Sequence, residues 1–464
     1  MIFNYIQELP YLPAALIILC FVAVFVFEFI NGFHDTANAV ATVIYTNSLK
    51  PVIAVIWSGI MNFVGVILGG VGVAMGIVKL LPLNDLLSQT LQVNIAIVLS
   101  ICLAAIIWNL GTWYFGIPCS SSHTLIGAIL GAGLGFATLY GGDGVNWQKA
   151  KEIGASLLLS PAFGFSMAIL LMFFLKKIFK TKSLFKPPVD KNPPPPGTRA
   201  LLITTCTLVS FFHGSNDGQK GVGLIMVILM AFLPAHYALN ESYDVNKGLE
   251  ALDNLNTVML RTAPDNLLEK EMQKNAALIS ELKNDIINNN KAGDKTAKFE
   301  IRKRILSLNK SISKFKDDPE VIANSADQKI LGHNLKVLQD YTDFAPRWAI
   351  YMVALCLGLG TMVGWKRIVV TIGEKIGKTH LTYAEGAVAE LVAASTIGLS
   401  TSFHLPVSTT HVLSSGVAGG MVASGGVKNL QKGTIINIAI AWLLTLPASI
   451  GLSYLFFMIF SRFV

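Results

Sequence analysis

Long apolar runs separated by short polar loops occupy most of the chain. Runs such as 11–30, 53–78, 153–175 and 434–460 are nearly free of charged residues. About 20 apolar residues are needed to cross a bilayer core roughly 30 Å thick. The pattern therefore predicts membrane-spanning helices rather than strands or the helices of a soluble core. The ten predicted spans are 11–48, 53–78, 93–115, 120–140, 153–178, 200–235, 345–365, 383–401, 408–424 and 434–460.

Polar motifs interrupt two of these spans. Span 11–48 is too long for one plain helix, and we expect it to break near 31–38. Span 200–235 carries a similar polar motif near 213–218, where a second break is expected. The predicted fold class is an all-α polytopic membrane protein with broken helices, re-entrant-type segments and about 10–12 membrane segments.

One long polar stretch stands apart from the apolar pattern. Residues 236–343 hold 17 of the 28 acidic residues and 16 of the 36 basic residues. Leu and Ile recur among these charges at helical spacing, which predicts amphipathic helices. The predicted divisions are a first membrane repeat at 1–178, a basic Pro-rich cytoplasmic linker at 179–199, the start of a second repeat at 200–235, the insert at 236–343 and the rest of the second repeat at 344–464.

Composition and charge agree with a membrane protein. The chain is 53% hydrophobic and only 14% charged, whereas soluble domains carry about 25% charged residues. The net charge of +8 comes from short basic loops, so it does not indicate nucleic-acid binding. The five cysteines lie in apolar stretches without metal-binding spacing, so neither a disulfide framework nor a structural zinc site is expected.

The basic loops predict the orientation of the chain. The loop after the fifth span is the most basic, which places it in the cytoplasm under the positive-inside rule. Counting spans outward then places both termini and residues 236–343 on the extracytoplasmic side. We therefore expect a multi-pass protein of a cell membrane. The family resemblance described below implies a bacterial inner membrane.

Two short motifs each occur twice. Residues 31–38 resemble residues 213–220 at an offset of 182, and residues 118–123 resemble residues 406–411 at an offset of 288. Because each half holds five spans, an odd number, the halves are expected to insert in opposite orientations. In such inverted repeats the substrate binds near the membrane midplane, between the repeats. The offset of 288 also aligns Gly70, Gly72 and Gly76 with Gly358, Gly360 and Gly364.

Few acidic residues fall inside the predicted spans. Of the eleven outside the insert, Asp35, Asp217 and Glu390 are singled out there. An ionised side chain at membrane depth costs roughly 2.5–3.5 kcal/mol, so each is a functional candidate. Asp35 and Asn38 are one helical turn apart and can face one point. The carboxylate could coordinate a cation or accept a proton and the amide could donate to an oxyanion, while helix capping is the structural alternative.

A hydroxyl triplet follows a proline in each half. Each triplet is placed to begin a helix, where free N–H groups and the positive end of the helix dipole attract anions. Plain N-capping needs only one hydroxyl, so three in a row indicate an oxyanion site without a fixed positive charge. His123 and His411, one turn on, either orient this segment or are simply buried. The triplet residues are Ser120, Ser121, Ser122, Ser408, Thr409 and Thr410.

The two repeats differ at one position, where Asn38 aligns with Lys220. A lysine near the midplane can replace a bound monovalent cation or pair with Asp217 or with the anion. The structural alternative is a lysine that extends toward the membrane interface. The asymmetry favours proton coupling over sodium coupling.

In combination, the motifs at 31–39, 118–127, 213–221 and 406–411 resemble those of the inorganic phosphate transporter (PiT) family, most closely its bacterial low-affinity branch. The resemblance implies phosphate symport, with proton coupling in the bacterial branch and phosphate often carried as a neutral complex with a divalent metal such as Mg²⁺. It matches Glu390 to a Glu that is important in sodium-coupled relatives, and the predicted coupling residues are Lys220, Glu390 and Asn216. It also implies phosphate binding by Asp35, Asn38, Ser120, Ser121, Ser122, Asp217, Ser408, Thr409 and Thr410.

Two departures from the family pattern argue against sodium coupling. Lys220 replaces the second Asn of the sodium-type motif, and Asn62 stands where sodium-coupled relatives carry a Glu. The expected partners are inorganic phosphate, protons and lipid, and a homodimer is compatible with the sequence. No enzymatic activity and no resident cofactor are expected.

Other functions remain as alternatives. A sodium-coupled phosphate symporter and a proton-coupled sulfate symporter would share the fold. Aspartate acceptors favour phosphate, because a carboxylate can accept a hydrogen bond from HPO₄²⁻ but not from unprotonated sulfate. A membrane hydrolase is the more distant alternative, and the sequence contains no strand-elbow serine motif and no paired metal ligands.

Overall fold

The computed structural model describes residues 6–81, 89–179, 182–188, 192–261, 267–292, 295–319 and 321–463, and most of their side chains. These residues are predominantly helical and contain no β-strand. The helices are α1 Tyr11–Tyr45, α2 Pro51–Leu68, α3 Gly72–Val78, α4 Leu91–Tyr114, α5 Ser121–Tyr140, α6 Trp147–Ile178, α7 Pro196–Phe232, α8 Pro234–Tyr237, α9 Val245–Arg261, α10 Leu267–Ala292, α11 Lys295–Ile312, α12 Ser325–Thr342, α13 Arg347–Thr361, α14 Lys366–Val370, α15 Tyr383–Ser402, α16 Thr409–Gly425 and α17 Lys432–Phe460.

Six of these helices, α1, α2, α4, α5, α6 and α17, are long and apolar enough to cross a membrane. The other four predicted spans are also helices. Two are shorter than a full span, since α13 has 15 residues and α16 has 17. The other two, α7 and α15, are long enough but carry several polar or acidic residues. The predicted all-α polytopic membrane fold is confirmed.

The expected breaks near 31–38 and 213–218 are wrong, because α1 and α7 run through both motifs as continuous helix. The glycines of these motifs instead permit close helix packing. A Cβ on Gly32 would lie 2.3 Å from the Leu357 carbonyl oxygen, and one on Gly214 would lie 2.1 Å from that of Asn62. Neither motif contains a proline to end the helix.

Real interruptions lie beside these helices. The segment between α2 and α3 turns at Gly70, whose φ is +76°, and the segment before α5 turns at Gly116, whose φ is +66°. His404 has a φ of +58° in the corresponding segment before α16. Left-handed backbone of this kind favours glycine, so His404 is a strained position for its residue type. Each hydroxyl triplet therefore follows a short non-helical segment, as a re-entrant-type element would require.

The packing of α1 on α13 repeats in the packing of α7 on α2. A Cβ on Gly360 would lie 2.1 Å from the Phe29 carbonyl oxygen, and one on Gly65 would lie 2.1 Å from that of Phe211. Phe29 and Phe211 differ by the motif offset of 182. Gly65, and not Gly72, is therefore the packing counterpart of Gly360, which corrects the glycine alignment. The inverted orientation of the two halves stays a prediction.

Long helices of each half also pack against helices of the other half. Helix α5 of the first half packs on α17 of the second, and α16 of the second half packs on α6 of the first. A Cβ on Gly131 would lie 2.2 Å from the Ile450 carbonyl oxygen, and one on Gly419 would lie 2.4 Å from that of Phe165. The helices that begin with the hydroxyl triplets are thus each held by the opposite half.

The described chain divides into two compact units. The first consists of Met1–Ile228 and Pro346–Val464, and it holds all the candidate site residues. The second, Leu229–Ala345, has its own apolar core among α9, α10, α11 and α12. Inside it, the buried Arg302 guanidinium donates hydrogen bonds to the carbonyl oxygens of Ala238 and Thr342. These two residues lie near the beginning and the end of the unit's sequence.

Candidate functional site

Asp35 is the centre of a buried polar cluster in the first unit. Its side chain on α1 is 1% exposed. Ser121 Oγ donates a hydrogen bond to Asp35 Oδ2 over 2.7 Å, and Thr410 Oγ1 donates one to Asp35 Oδ1 over 2.7 Å. Each hydroxyl belongs to a different triplet. One carboxylate therefore joins the start of α5 to the start of α16.

Helix α7 brings a second carboxylate and a lysine to the same cluster. Lys220 Nζ forms a short ion pair with Asp217 Oδ2 and donates to Ser121 Oγ over 3.2 Å. Ser121 Oγ in turn lies 3.4 Å from Asp217 Oδ2. Among the side chains that the structure describes, Ser121 is thus the hydroxyl that contacts Asp35, Asp217 and Lys220 together. Pairing reduces the cost of burying Lys220 and Asp217, which would be high for either charge alone.

His213 lies between the two carboxylates. Its Nε2 is 3.4 Å from Asp217 Oδ2 and 3.8 Å from Asp35 Oδ2. Its Nδ1 is 3.0 Å from Asn62 Oδ1, and the Asn62 amide donates to Thr361 Oγ1 over 2.8 Å. Asn62, predicted to mark the departure from sodium-coupled relatives, thus orients the ring that faces both aspartates.

The six triplet hydroxyls divide into separate roles. Ser120 and Ser408 are N-caps, since their Oγ atoms accept from the backbone N–H groups of His123 and His411 over 3.2 and 3.1 Å. Ser122 Oγ donates to the Val407 carbonyl oxygen over 2.8 Å, beside the other triplet. Of the six, only Ser121 and Thr410 donate to Asp35. The capping interpretation therefore describes Ser120 and Ser408, and the binding interpretation describes other members of the triplets.

Thr409 is the triplet member still available to a ligand. Its side chain is 2% exposed, and its Oγ1 has no hydrogen-bond partner within the described part of the chain. It is the repeat counterpart of Ser121 at the offset of 288. A buried hydroxyl without a partner costs about 1–3 kcal/mol. Binding an oxyanion here would recover that cost.

The cluster can also provide ligands for a cation. Asp35, His213 and Asp217 each offer an atom, and these atoms lie within 4.8 Å of one another. The carboxylate oxygens and the imidazole nitrogen suit a monovalent or divalent cation. Lys220 Nζ, however, already places a positive charge on Asp217. The Lys220 side chain therefore supplies a positive charge next to these three possible ligand residues.

Two residues predicted for coupling lie outside this cluster. Asn216 Nδ2 donates to Thr401 Oγ1 over 2.9 Å, and its Oδ1 accepts from the Val407 N–H over 3.3 Å, so it holds the segment before α16. Glu390 on α15 is fully buried and accepts hydrogen bonds from the hydroxyls of Thr42 and Thr205. The Asn38 side chain lies outside the described residues.

Sequence reasoning missed three buried groups near Asp35. His34 Nδ1 lies 3.2 Å from Asp35 Oδ1 and its Nε2 lies 3.2 Å from Thr112 Oγ1, which fixes the ring beside the carboxylate. His213 begins the second motif but aligns with Asn31, so the repeat gave it no weight. Glu28 falls within predicted span 11–48, and this position is the signal that identifies it as a further acid at membrane depth.

Comparison with known proteins gives consistent matches. Residues 31–453 match a family model described as the phosphate transporter family. The chain is 40% identical to the low-affinity inorganic phosphate transporter PitB of Escherichia coli K12, over 94% of this chain and 95% of that one. It is 32% identical to a probable low-affinity inorganic phosphate transporter of Bacillus subtilis, over 94% and 93% of the two chains.

A solved structure has the same fold. It is described as the sodium-dependent phosphate transporter, and it aligns with 97% of this chain and 100% of its own with a TM-score of 0.54. The sequence identity is 20%, so this likeness concerns the fold alone.

Proposed function

The chain belongs to the phosphate transporter family, and from this premise we propose that it is a secondary active symporter that imports inorganic phosphate with the proton gradient. The observation that carries the proposal is the position of Asp35, whose carboxylate accepts from one hydroxyl of each triplet. A carboxylate surrounded by neutral donors is suited to a partly protonated oxyanion.

Phosphate would bind by taking over the hydroxyl donors of the two triplets. Ser121, Thr409 and Thr410 can donate to unprotonated phosphate oxygens, while Asp35 accepts from a P–OH group. The N-terminal ends of α5 and α16 add their free N–H groups and dipoles. A fully ionised sulfate has no proton to give Asp35 and would instead meet its negative charge. This difference supports phosphate over sulfate as the substrate.

If His213 is neutral, the charges of the cluster require a cation to enter with the anion. With His213 neutral, Asp35, Asp217 and Lys220 together carry one net negative charge. A phosphate anion would be repelled from such a buried site unless its charge were neutralised first. Protons can do this, and so can a divalent metal that enters with phosphate as a neutral complex. Asp35, Asp217 and His213 offer the ligand atoms that such a metal would contact.

The same proposal includes the arrangement in the membrane. The first repeat would occupy 1–178 and the second 200–235 and 344–464, in opposite orientations. The linker at 179–199 would be cytoplasmic, and the termini and the insert at 236–343 would be extracytoplasmic. The packing equivalence of Gly65 and Gly360 supports the repeat, and the basic loops support the orientation. The bacterial relatives support a location in a bacterial inner membrane.

Uptake of labelled phosphate into proteoliposomes tests the proposal. We expect accumulation with an inward proton gradient, stimulation by Mg²⁺, and no competition from excess sulfate. Liposomes without protein, and liposomes with protein plus a protonophore, provide the controls. Accumulation driven by a sodium gradient alone would replace proton coupling with the sodium alternative. Phosphate-ester hydrolysis without accumulation would refute the transporter assignment.

A further inference from the structure

Glu28 is a buried acid that the binding cluster does not use. It lies on α1, two helical turns before Asp35, and its side chain is fully buried. The Asn31 amide donates to Glu28 Oε2 over 3.3 Å, and Glu28 Oε1 has no hydrogen-bond partner in the described ranges. Within those ranges no lysine, arginine or histidine nitrogen lies within 4.0 Å of the carboxyl group.

The backbone of α7 closes the space against this carboxyl group. A Cβ on Gly221 would lie 2.3 Å from Glu28 Cγ and 2.7 Å from Glu28 Oε1. Gly221 directly follows Lys220, whose ammonium group is engaged by Asp217 and Ser121. The lysine that could neutralise Glu28 is therefore bound elsewhere. The ionisable groups facing Glu28 are Lys220, Asp217 and His213 of α7, Cys102 of α4 and Cys356 of α13.

Such a position is unfavourable for an ionised carboxylate. Burial without a paired cation raises the cost of the charged form, while a neutral carboxylic acid can remain. Glu390, another buried glutamate of the unit, differs because two hydroxyls donate to its two oxygens. Glu28 has one amide donor and one free oxygen. It is therefore better placed than Glu390 to alternate between protonated and ionised forms.

We propose that Glu28 carries the co-transported proton and that Lys220 controls its release. The inference rests on the proposed symport function. With Lys220 on Asp217, Glu28 holds its proton as a neutral acid. After phosphate has left the cluster on the inner side, Lys220 can leave Asp217, and its ammonium group can turn to Glu28. The Glu28 O–H bond then breaks, the carboxylate pairs with Lys220, and the proton leaves toward the side to which the site is open.

The alignment of side chains supports such a link between proton and substrate. Glu28, Asn31 and Asp35 are spaced three and four residues apart, which places them along one face of α1. His213, Asp217 and Lys220 have the spacing of four and three along α7. The two faces meet at Asp35, Asp217 and Ser121. A shift of the Lys220 side chain would therefore connect the phosphate cluster with Glu28.

Glu28→Gln separates proton coupling from phosphate binding. The amide keeps the size of the side chain and its contact with Gly221 but cannot release a proton. In proteoliposomes preloaded with unlabelled phosphate, we expect phosphate counterflow, which needs no proton gradient, to stay within about twofold of wild type. Proton-driven accumulation should fall by about tenfold or more, and the pH dependence of uptake should flatten. Glu28→Asp, which restores an ionisable group, should recover part of the proton-driven accumulation.

Glu385→Gln is the matched control, because Glu385 is equally buried but only completes the capping box at the start of α15. It should behave as wild type in both assays. If Glu28→Gln kept the wild-type pH dependence and accumulation, the proposed role of Glu28 would be refuted and the symport proposal would be unaffected. Loss of both counterflow and accumulation, with folded protein, would assign Glu28 to structure or binding and also overturn the inference. Absence of proton-driven uptake by wild type would instead refute the symport proposal, and this inference with it.

Discussion

At the scale of single residues, the cluster is built around competition for hydroxyl donors. Asp35 now accepts the hydrogen bonds of Ser121 and Thr410 that an arriving phosphate would need. Exchange of one acceptor for another conserves the number of buried hydrogen bonds, so binding and release need not cross a large free-energy difference. Lys220 and Asp217 offset each other in the same way. This balance suits a carrier, which must release its substrate on the other side.

Replacement of Asp35 by Asn tests the acceptor role. The amide keeps the shape of the side chain but loses one acceptor and the negative charge. A buried hydroxyl and a phosphate P–OH then compete for one oxygen, at a cost of about 1–3 kcal/mol. We expect phosphate uptake to fall by about tenfold to a hundredfold, measured as initial rates in proteoliposomes. Asp143→Asn, at an exposed loop position, is the control. Uptake at the wild-type rate would remove Asp35 from the site.

Replacement of Lys220 by Asn tests the built-in cation. Without the ammonium group, Asp35, His213 and Asp217 keep three ligand atoms within 4.8 Å of one another and lose the charge that balances them. We expect a sodium ion to fill this position, so uptake should become sodium-stimulated and less dependent on the proton gradient. Initial rates with sodium or choline salts at several pH values measure both effects. An unchanged pH profile without sodium stimulation would contradict the coupling role of Lys220.

Residue chemistry was predictable where a motif repeated and unpredictable where it did not. Asp35, Asp217 and the triplets recur in register, so the amino-acid sequence alone identifies them as candidates. Glu28 has no repeated motif, and its position beside Gly221 depends on how α1 meets α7. Asn216 lies inside a motif, yet its amide is used on the segment before α16. Motif membership alone could not separate these roles.

At the scale of elements, glycine sets how close the helices approach. Gly360 and Gly65 face backbone carbonyls of Phe29 and Phe211 so closely that a methyl group cannot be accommodated without moving a helix. The motif glycines near 31–38 and 213–218, Gly32 and Gly214, make equally close contacts within continuous helices. The glycines beside polar residues were correctly identified as special positions. They allow close packing between helices, however, and do not interrupt a helix. Only the packing partner distinguishes the two cases.

Replacement of Gly360 by Ala tests this packing. The added Cβ would lie 2.1 Å from the Phe29 carbonyl oxygen, which is backbone and cannot rotate away. We expect a loss of thermal stability in detergent corresponding to about 1–3 kcal/mol, with reduced uptake because α1 carries Asp35. Gly154→Ala is the control, since nothing lies within 4 Å of its added Cβ, and a helical alanine there should be neutral or slightly stabilising. Equal stability of the two variants would contradict the close-packing interpretation.

At the scale of the whole molecule, exchange of helices between halves links the two triplets. Helix α5 packs on α17 and α16 packs on α6, so each triplet is supported by the opposite half. His123 and His411, one turn into these helices, lie with their ring centroids 4.5 Å apart and their planes tilted by 34°. A relative movement of the halves would therefore change the surroundings of both triplets at once. Alternating access requires this behaviour of a site shared by two repeats.

Single-cysteine labelling tests the predicted orientation of the chain in the membrane. The native cysteines give little background, because Cys20, Cys102, Cys119 and Cys206 are buried and Cys356 is only partly exposed. Ser280 in α10 and Ser183 in the basic linker are exposed positions for a new cysteine. In intact cells, a membrane-impermeant maleimide should label Ser280→Cys, whereas Ser183→Cys should react only after permeabilisation. The outer membrane must first be opened in a Gram-negative host so that the reagent reaches the inner membrane.

The paired design separates the possible topologies. Reversed labelling at both positions would place the termini and the insert in the cytoplasm and invert the whole arrangement. Labelling of both positions in intact cells, or of neither position before permeabilisation, would mean that an even number of spans separates residues 183 and 280. That result would remove the argument for opposite orientation of the halves. Opposite labelling of the two positions requires an odd number of crossings between residues 183 and 280. A single passage of α7 through the membrane would provide one, and α7 carries the Asp217 and Lys220 that meet Asp35 through Ser121.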